Sequence, residues 1–394
     1  MQWKPLRPGF GLAGRIDRTL VDRVGVNGVE SLFRAGTDDY WMEQALIESM
    51  NSVGISAPNP GVGCVIVKNG RELARGHTQA WKQAHAERMA FHALPQDADL
   101  EGAEVFVTLE PCSHTGFQPP CSDLFPGRGI ARIVVATVDP DPRVSGEGLR
   151  RLATSGVRVE TGVLEPEVRA SLFPFTKTRG PKKTVWVAKW ARMPSGHLAD
   201  VDGNSKWITN AKSRAYTHWL RQKYDAVVVG ARTFLVDRPA LTVRDCALPR
   251  QRQPERVVFD PRGELLSLPE SELECFRVLV CNDLLPEPRR DGTVFVGMDA
   301  TPESPDLGLV FKSTLESMNF EKPLQSVMVE GGARLLRTLF ESGVFDAAHT
   351  FTGAQKFDRL SAREWLESGP GAGFSPCTHH VFDEDVLQEW VKED

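Results

Sequence analysis

What most constrains this chain is an alternation that stops and then restarts. From Thr37 to about Phe175, β-rich runs and helix-patterned stretches succeed one another. The pattern breaks at TKTRGPKK, residues 176–183, and then resumes. Strand–helix alternation builds layered α/β domains, in which helices cover a sheet. The interruption holds Gly-Pro, three lysines and an arginine without apolar periodicity, and reads as a linker. The two halves show no internal repeat, so two different α/β domains are expected. The expected organisation is an extension over 1–36, a first domain over 37–175, a linker over 176–183 and a second domain over 184–394. The length of 394 residues suits that division.

Within the first half, Thr37 is placed to cap a helix whose first turn carries Asp38 and Asp39, favourable at the positive end of the dipole. Val62–Val67 reads as a strand leading into Asn69-Gly70, a hairpin signal. A helix over 84–94, a strand over 104–109 ending at Glu110-Pro111-Cys112, a short helix near Ser122, a strand over 132–138 and a last helix–strand unit ending near Phe175 follow. In the second half, strands are expected at 184–190, 225–229, 256–259, 277–281, 293–296 and 326–330. Helices are expected at 211–223, 311–319 and 333–342.

Composition narrows the function classes. Lys plus Arg number 47 against 52 Asp plus Glu, a net charge of −5, and no basic stripe interleaves with aromatics. This argues against nucleic acid or an anionic membrane as partner. No stretch approaches the roughly 18 apolar residues of a membrane span, and Met1–Pro8 has no apolar core of a secretory signal. Seven cysteines in such a chain point to a reducing cytoplasm, where cysteine pairs are read first as metal ligands.

His85-Ala86-Glu87 opens a predicted helix, Cys112 follows a predicted strand, and Cys121 comes nine residues later. A catalytic zinc takes about three protein ligands and keeps one position open; an imidazole and two thiolates meet that need. Zinc lowers the pKa of a bound water towards about 7. Glu87 would accept its proton and pass it to a departing amine, as in zinc deaminases, whose glutamate is not a ligand. A structural zinc with His77 or His114 as fourth ligand is the competing reading. Cys64, Cys246, Cys275, Cys281 and Cys377 read as structural thiols.

The spacing of eight residues between Cys112 and Cys121 differs from the usual deaminase P-C-x-x-C. Together with Asn59-Pro60-Gly61-Val62-Gly63, His77, HAE at 85–87, TLEPCSHTGFQPPC at 108–121, Asp139-Pro140-Asp141-Pro142, Val144, Gly146 and Gly148, it resembles the deaminase domain of the bifunctional riboflavin-biosynthesis deaminase/reductase (RibD) family. The resemblance implies a cytidine-deaminase-like α/β/α domain in which His85, Cys112 and Cys121 hold zinc and Glu87 shuttles protons. It also implies that Asn59, His77, His114 and Asp139 line a pyrimidine pocket. Two positions depart: the family usually has Lys or Arg at Phe117 and Asn at Asp141. One positive charge is lost and one negative gained beside a site expected to face a phosphorylated substrate. A charge-assisted contact is worth about 1.5–3 kcal/mol.

In the second half, Glu330-Gly331-Gly332-Ala333 is a strand-to-helix turn that suits a phosphate or a plain turn equally. No strand is followed by G-x-G-x-x-G. Lys189, Ala191, Ser205–Thr209, Arg214, Leu220-Arg221, Asp225–Gly230, Thr233, Asp237–Pro239, Leu241–Arg244 and Val329–Gly332 are similar to the family's reductase domain, which has a dihydrofolate-reductase-like α/β fold and uses NADPH. By that resemblance Ala191, Trp207, Thr233, Asp237 and the turn from Gly332 contact NADPH. Ser205, Arg221, Leu241, Arg244 and Glu330 contact the ribosyl phosphate substrate, the arginines through bidentate phosphate binding. Where the family reads Ser-Leu-Asp-Gly, this chain has Met193-Pro194-Ser195-Gly196.

The expected enzyme is therefore cytoplasmic, with one Zn²⁺ and NADPH as cofactors and a small phosphorylated pyrimidine as partner. It deaminates the diaminopyrimidine ribotide and then reduces its ribosyl group to ribityl. The resemblance leaves room for a homo-oligomer assembled through the reductase domain. The rival reading is a zinc deaminase of a related nucleotide whose second domain only binds.

Overall fold

The computed structural model describes residues 33–141, 144–178, 184–198, 208–244, 253–285, 294–354, 370–371 and 373–392, with backbone only for 377–381. They fall into two compact units that divide between residues 178 and 184. Residues 1–32 and 179–183, most of the expected extension and linker, lie outside the described residues; Phe175–Thr178 forms a short helical turn.

The first unit is a five-stranded sheet in the order β2-β1-β3-β4-β5. Its strands are β1 (Gly63–Lys68), β2 (Arg71–His77), β3 (Ala103–Leu109), β4 (Ile130–Thr137) and β5 (Arg158–Thr161). β1 runs antiparallel to both neighbours, while β3, β4 and β5 are parallel. Asn69 and Gly70 both take positive φ (51° and 69°), the turn geometry that lets β1 fold back onto β2. Helix α1 (Asp38–Ser49) starts at Thr37, whose hydroxyl accepts from the Tyr40 N–H. It buries Trp41, Met42, Ala45, Leu46 and Ile47 against the sheet. Helix α2 (Ala86–His92) lies on β2 over Gly76, where a Cβ would stand 2.3 Å from the Ala90 nitrogen. Only glycine permits that approach, and it fixes where α2 begins. Helices α3 (Glu147–Thr154) and α4 (Glu165–Ser171) complete the layers.

The second unit is a nine-stranded sheet in the order β10-β9-β8-β7-β11-β6-β12-β14-β13. These are β6 (Val185–Arg192), β7 (Ala226–Gly230), β8 (Glu255–Phe259), β9 (Arg277–Cys281), β10 (Phe295–Met298), β11 (Ser326–Glu330), β12 (Ala347–Thr352), β13 (Phe374–Phe382) and β14 (Asp385–Lys392). All pairs from β10 to β12 are parallel; the terminal hairpin adds antiparallel strands. Helices α5 (Ala211–Lys223), α6 (Ala231–Asp237), α7 (Leu307–Ser317) and α8 (Ala333–Glu341) pack on it. Val185–Ala188, Ala226–Val229 and Val327–Val329 are near-continuous apolar runs buried on both faces, as parallel strands require. The expectation for 311–319 differs: that helix starts at Leu307, because Leu307, Phe311 and Leu315 share its buried face. β12, the β13–β14 hairpin, α4 and α6 were not anticipated. Among the described residues no helix is long and apolar enough to cross a membrane.

Candidate active site

The first constellation is built from two segments. His85 is the N-cap of α2, with extended backbone (φ −78°, ψ 165°), and Glu87 sits in the first helical turn. Cys112 follows the end of β3. The chain then loops outward over 113–120 and returns Cys121 at the start of a 3₁₀ turn (Cys121–Leu124). The Ser122 N–H donates to the Cys112 carbonyl at 3.1 Å and the Cys121 N–H to Cys112 Sγ at 3.3 Å, which ties the two thiols together despite the long spacing.

Both sulfurs lie 3.6 Å from His85 Nδ1, and all three ligand atoms are within 4.8 Å of one another. Tetrahedral zinc with Zn–S about 2.3 Å and Zn–N about 2.0–2.1 Å requires an S···N separation of about 3.5–3.6 Å. The donor set therefore fits zinc, with Nδ1 as the imidazole ligand. Cys112 is pulled well below the usual thiol range by its hydrogen bonds with Cys121 and His85, and Cys121 is pushed up by its pairing with Cys112 and by burial. Zinc would be held by both sulfurs as thiolates, so its binding is accompanied by proton release.

Glu87 is 3% exposed. Burial, with the neighbouring Cys112 charge, raises its carboxyl to about 7, near the value suited to moving protons in both directions. A cavity of about 300 Å³ opens onto His85, Glu87 and Cys112, and Asn59, His114 and Asp139 also line it. His77 is not among the lining residues: its Nδ1 sits 2.7 Å from Glu48 Oε1, which turns it towards α1. Phe117 and Asp141 both line the cavity, Phe117 67% exposed and Asp141 buried.

Glu110, from the Glu110-Pro111-Cys112 segment, organises one wall. Its buried carboxylate accepts backbone N–H bonds from Asp139 (3.1 Å), Gly146 (2.9 Å), Gly148 (2.8 Å) and Leu149 (3.4 Å). It caps α3 and fixes the main chain at Asp139. An isolated glutamate before Pro-Cys gives no sequence signal of that role, because its partners are backbone groups 29 to 39 residues away.

In the second unit the candidate residues gather at the C-terminal ends of β6, β7 and β11, where ligands of open α/β sheets bind. Arg221 on α5 donates from Nε and Nη2 to the two oxygens of Glu330 at 2.6 and 3.0 Å, and from Nη1 to the Thr242 carbonyl at 3.0 Å. Arg221 is thus engaged as the partner of Glu330, instead of standing open to a phosphate. Burial disfavours the Glu330 charge, but Arg221 outweighs it and holds the carboxyl at about 2. Lys189, in register with Glu330, is shifted down by burial. His218, unforeseen in the sequence, is drawn to about 4 by burial and the Arg221 charge.

Gly331 and Gly332 both have positive φ (62° and 77°) and open α8, and Thr233 Oγ1 would stand 3.1 Å from a Cβ at Gly332. Backbone donors at the head of α8 beside a hydroxyl suit a dinucleotide phosphate. Ala191 lies on β6 and Asp237 ends α6. Leu241 is buried with φ 48°, and Arg244 is exposed with Nη1 3.4 Å from Thr242 Oγ1. Ser205 and Trp207 lie outside the described residues. The turn 193–196 stays closed despite its altered sequence: the Met193 N–H donates to the His197 carbonyl at 2.8 Å and the Gly196 N–H to the Met193 carbonyl at 2.9 Å.

These features define a two-domain enzyme, a zinc-dependent deaminase joined to a reductase. The family models agree: residues 35–137 match the cytidine and deoxycytidylate deaminase zinc-binding region, and 195–354 match the RibD C-terminal domain. The chain is 36% identical over 322 residues to the riboflavin biosynthesis protein RibD of Aquifex aeolicus, covering 80% of this chain and 86% of that one. It is 35% identical over 329 residues to RibD of Actinobacillus pleuropneumoniae, covering 81% and 84%. Among solved structures, a diaminohydroxyphosphoribosylaminopyrimidine deaminase/5-amino-6-(5-phosphoribosylamino)uracil reductase from Thermotoga maritima superposes with TM-score 0.72 at 32% identity, covering 90% of this chain and 98% of that one. Acinetobacter baumannii RibD gives 0.69 at 26%, covering 91% and 99%. The chain belongs to the RibD family of bifunctional riboflavin-biosynthesis enzymes. That membership supports two activities over a deaminase with a binding-only second domain.

Proposed function

We propose that the first unit hydrolyses the 2-amino group of 2,5-diamino-6-(5-phosphoribosylamino)pyrimidin-4(3H)-one, giving 5-amino-6-(5-phosphoribosylamino)uracil and ammonia. The second unit then reduces the ribosyl group to ribityl. The observation that carries the reading is the buried Glu87 carboxyl beside the His85/Cys112/Cys121 cluster at the floor of one cavity. Zinc, when bound by those three residues, supplies Lewis acidity that activates water and polarises the reacting carbon. Glu87 takes a proton from the water as the C–O bond forms and returns it to the amine as the C–N bond breaks. Asn59, His114 and Asp139 line the cavity walls and orient the ring, with Asp139 held in place through Glu110.

In the second unit, bound NADPH would supply the hydride that reduces C1 of the ribosyl group as the ring C1–O bond opens, the ring oxygen taking a proton and NADP+ leaving. The turn at Gly331-Gly332, with Ala191, Trp207, Thr233 and Asp237, binds the cofactor. Glu330, fixed by Arg221, faces the sugar, and Ser205, Leu241 and Arg244 hold the rest of the ribotide. A reducing cytoplasm suits the chain, since Cys64, Cys112, Cys121, Cys275 and Cys281 are all unpaired. Self-association through the second unit belongs to the same reading and is measurable by light scattering.

The test is incubation of the zinc-loaded protein with the diaminopyrimidine ribotide, with and without NADPH, followed by mass spectrometry. Deamination without NADPH and deamination plus reduction with it are expected. Glu87→Ala should slow deamination about 10²-fold or more while retaining zinc. Full deamination by that variant would overturn the role of Glu87.

A further inference from the structure

We propose that Lys82 is the phosphate contact of the deaminase cavity, supplying from the β2–α2 loop the positive charge that Phe117 does not. The proposal rests on the deaminase reading above and concerns how this chain holds the phosphate end of that substrate.

The first observation is electrostatic. Among the described residues lining the cavity, Glu87, Glu110, Asp139 and Asp141 carry carboxyls, and Lys82 is the one lysine or arginine. A phosphate brought into such a cavity is repelled by those carboxyls and drawn to the Lys82 ammonium, with His114 the other imidazole besides the metal cluster. His85 is committed to the metal cluster. The phosphate end must then lie towards Lys82, away from Glu87.

Geometry supplies the second. Lys82 Nζ stands 4.3 Å from the centroid of the Trp81 ring and 5.2 Å from that of Phe117, and the two rings meet edge to face at 6.2 Å. Phe117 is too exposed for its ring to be core. Instead, it and Trp81 hold the ammonium by cation–π attraction. Among the described residues, no carboxylate pairs with Lys82, so the ammonium keeps its hydrogen bonds for an incoming anion. The charge thus sits against the very position from which a basic side chain has been lost.

The backbone agrees. Lys82 has φ +72°, a left-handed conformation that non-glycine residues adopt rarely and that clusters at functional sites when the surroundings impose it. Here the Gln79 N–H donates to the Ala84 carbonyl at 2.9 Å and the Gln83 N–H to the Ala80 carbonyl at 2.8 Å, closing the loop around Lys82.

The experiment compares the diaminopyrimidine ribotide with its dephosphorylated ribonucleoside on zinc-loaded protein. Lys82→Met should raise KM for the ribotide about tenfold or more, the loss of one charge-assisted contact, and leave the ribonucleoside's KM in place. Lys82→Arg should stay near wild type, and adding Phe117→Lys to Lys82→Met should recover part of the loss. Lys82→Gly, which suits the backbone, repeats the test if methionine disturbs the loop. Equal shifts for both substrates, or none for either, in variants of a wild type that turns over the ribotide would overturn the Lys82 assignment alone. A zinc-loaded wild type that ignores the ribotide yet deaminates another pyrimidine would overturn the substrate reading and Lys82 with it.

Discussion

The two units solve the problem of placing reactive groups in opposite ways. In the first, four residues from two short segments make the centre, with His85 and Cys121 only 36 positions apart. In the second, the buried pair Arg221–Glu330 joins residues 109 positions apart, and the cradle at Gly332 meets Thr233 from another strand end. Zinc chemistry demands particular side chains, and those leave a pattern in sequence. A site made from strand ends and backbone donors demands a topology, and almost any apolar strand can supply that. The first site should therefore fail all at once when a ligand is lost, while the second should fail through stability and geometry.

The largest expected effect breaks the first unit alone. Cys112→Ser, or removal of zinc with a chelator, should bring deamination to background. Reduction of the already deaminated ribotide should stay within about twofold, the range of substitutions remote from a site. Metal content and both rates, measured on one preparation, check this. A parallel loss of reduction would show that the second unit depends on the first.

A smaller effect sharpens the second half of the comparison. Arg221→Met leaves Glu330 buried without its partner and should cost about 3–5 kcal/mol of the second unit's stability. Acid should act the same way. The Glu330 carboxyl sits at about 2 in the folded chain against about 4.3 unfolded. Its contribution is complete above about pH 4.3 and is lost as pH falls towards 2. Denaturant midpoints followed from pH 5 to 2.5 should show that loss in the wild type and not in Glu330→Gln. An equal acid slope in both would assign the loss to other carboxylates.

Sequence legibility follows the same divide. Helix α1 was readable because Thr37, Asp38 and Asp39 are local signals, and α5 because the helical pattern over 211–223 is itself local. The limits of β9 and β11 were readable because short buried apolar runs, Val278–Cys281 and Val327–Val329, stand beside polar residues that mark their ends. β12 was not, since Ala347–Thr352 (AAHTFT) becomes a strand by pairing with β6 and β14, whose paired residues lie 34 or more positions away. His85, Glu87, Cys112 and Cys121 were legible as chemistry. Glu110 was not, because its work is to accept backbone N–H bonds, nor was Lys82, whose neighbourhood depends on where the 113–120 loop returns.

The smallest expected effect concerns the altered turn of the second unit. Met193-Pro194-Ser195-Gly196 lacks the acidic residue that the family carries, yet its backbone bonds to His197 and Met193 are intact. Pro194 and Ser195 are exposed, so the proline meets no core. Ser195 Oγ and His197 Nδ1 share a hydrogen bond of 2.9 Å, which an aspartate could replace by accepting from the ring. Ser195→Asp should therefore change the kcat/KM of reduction by only about twofold, within the range of exposed substitutions. A tenfold or larger gain would mean that the acidic side chain acts on cofactor or substrate, and that this turn belongs to the reductase site as well as to its frame.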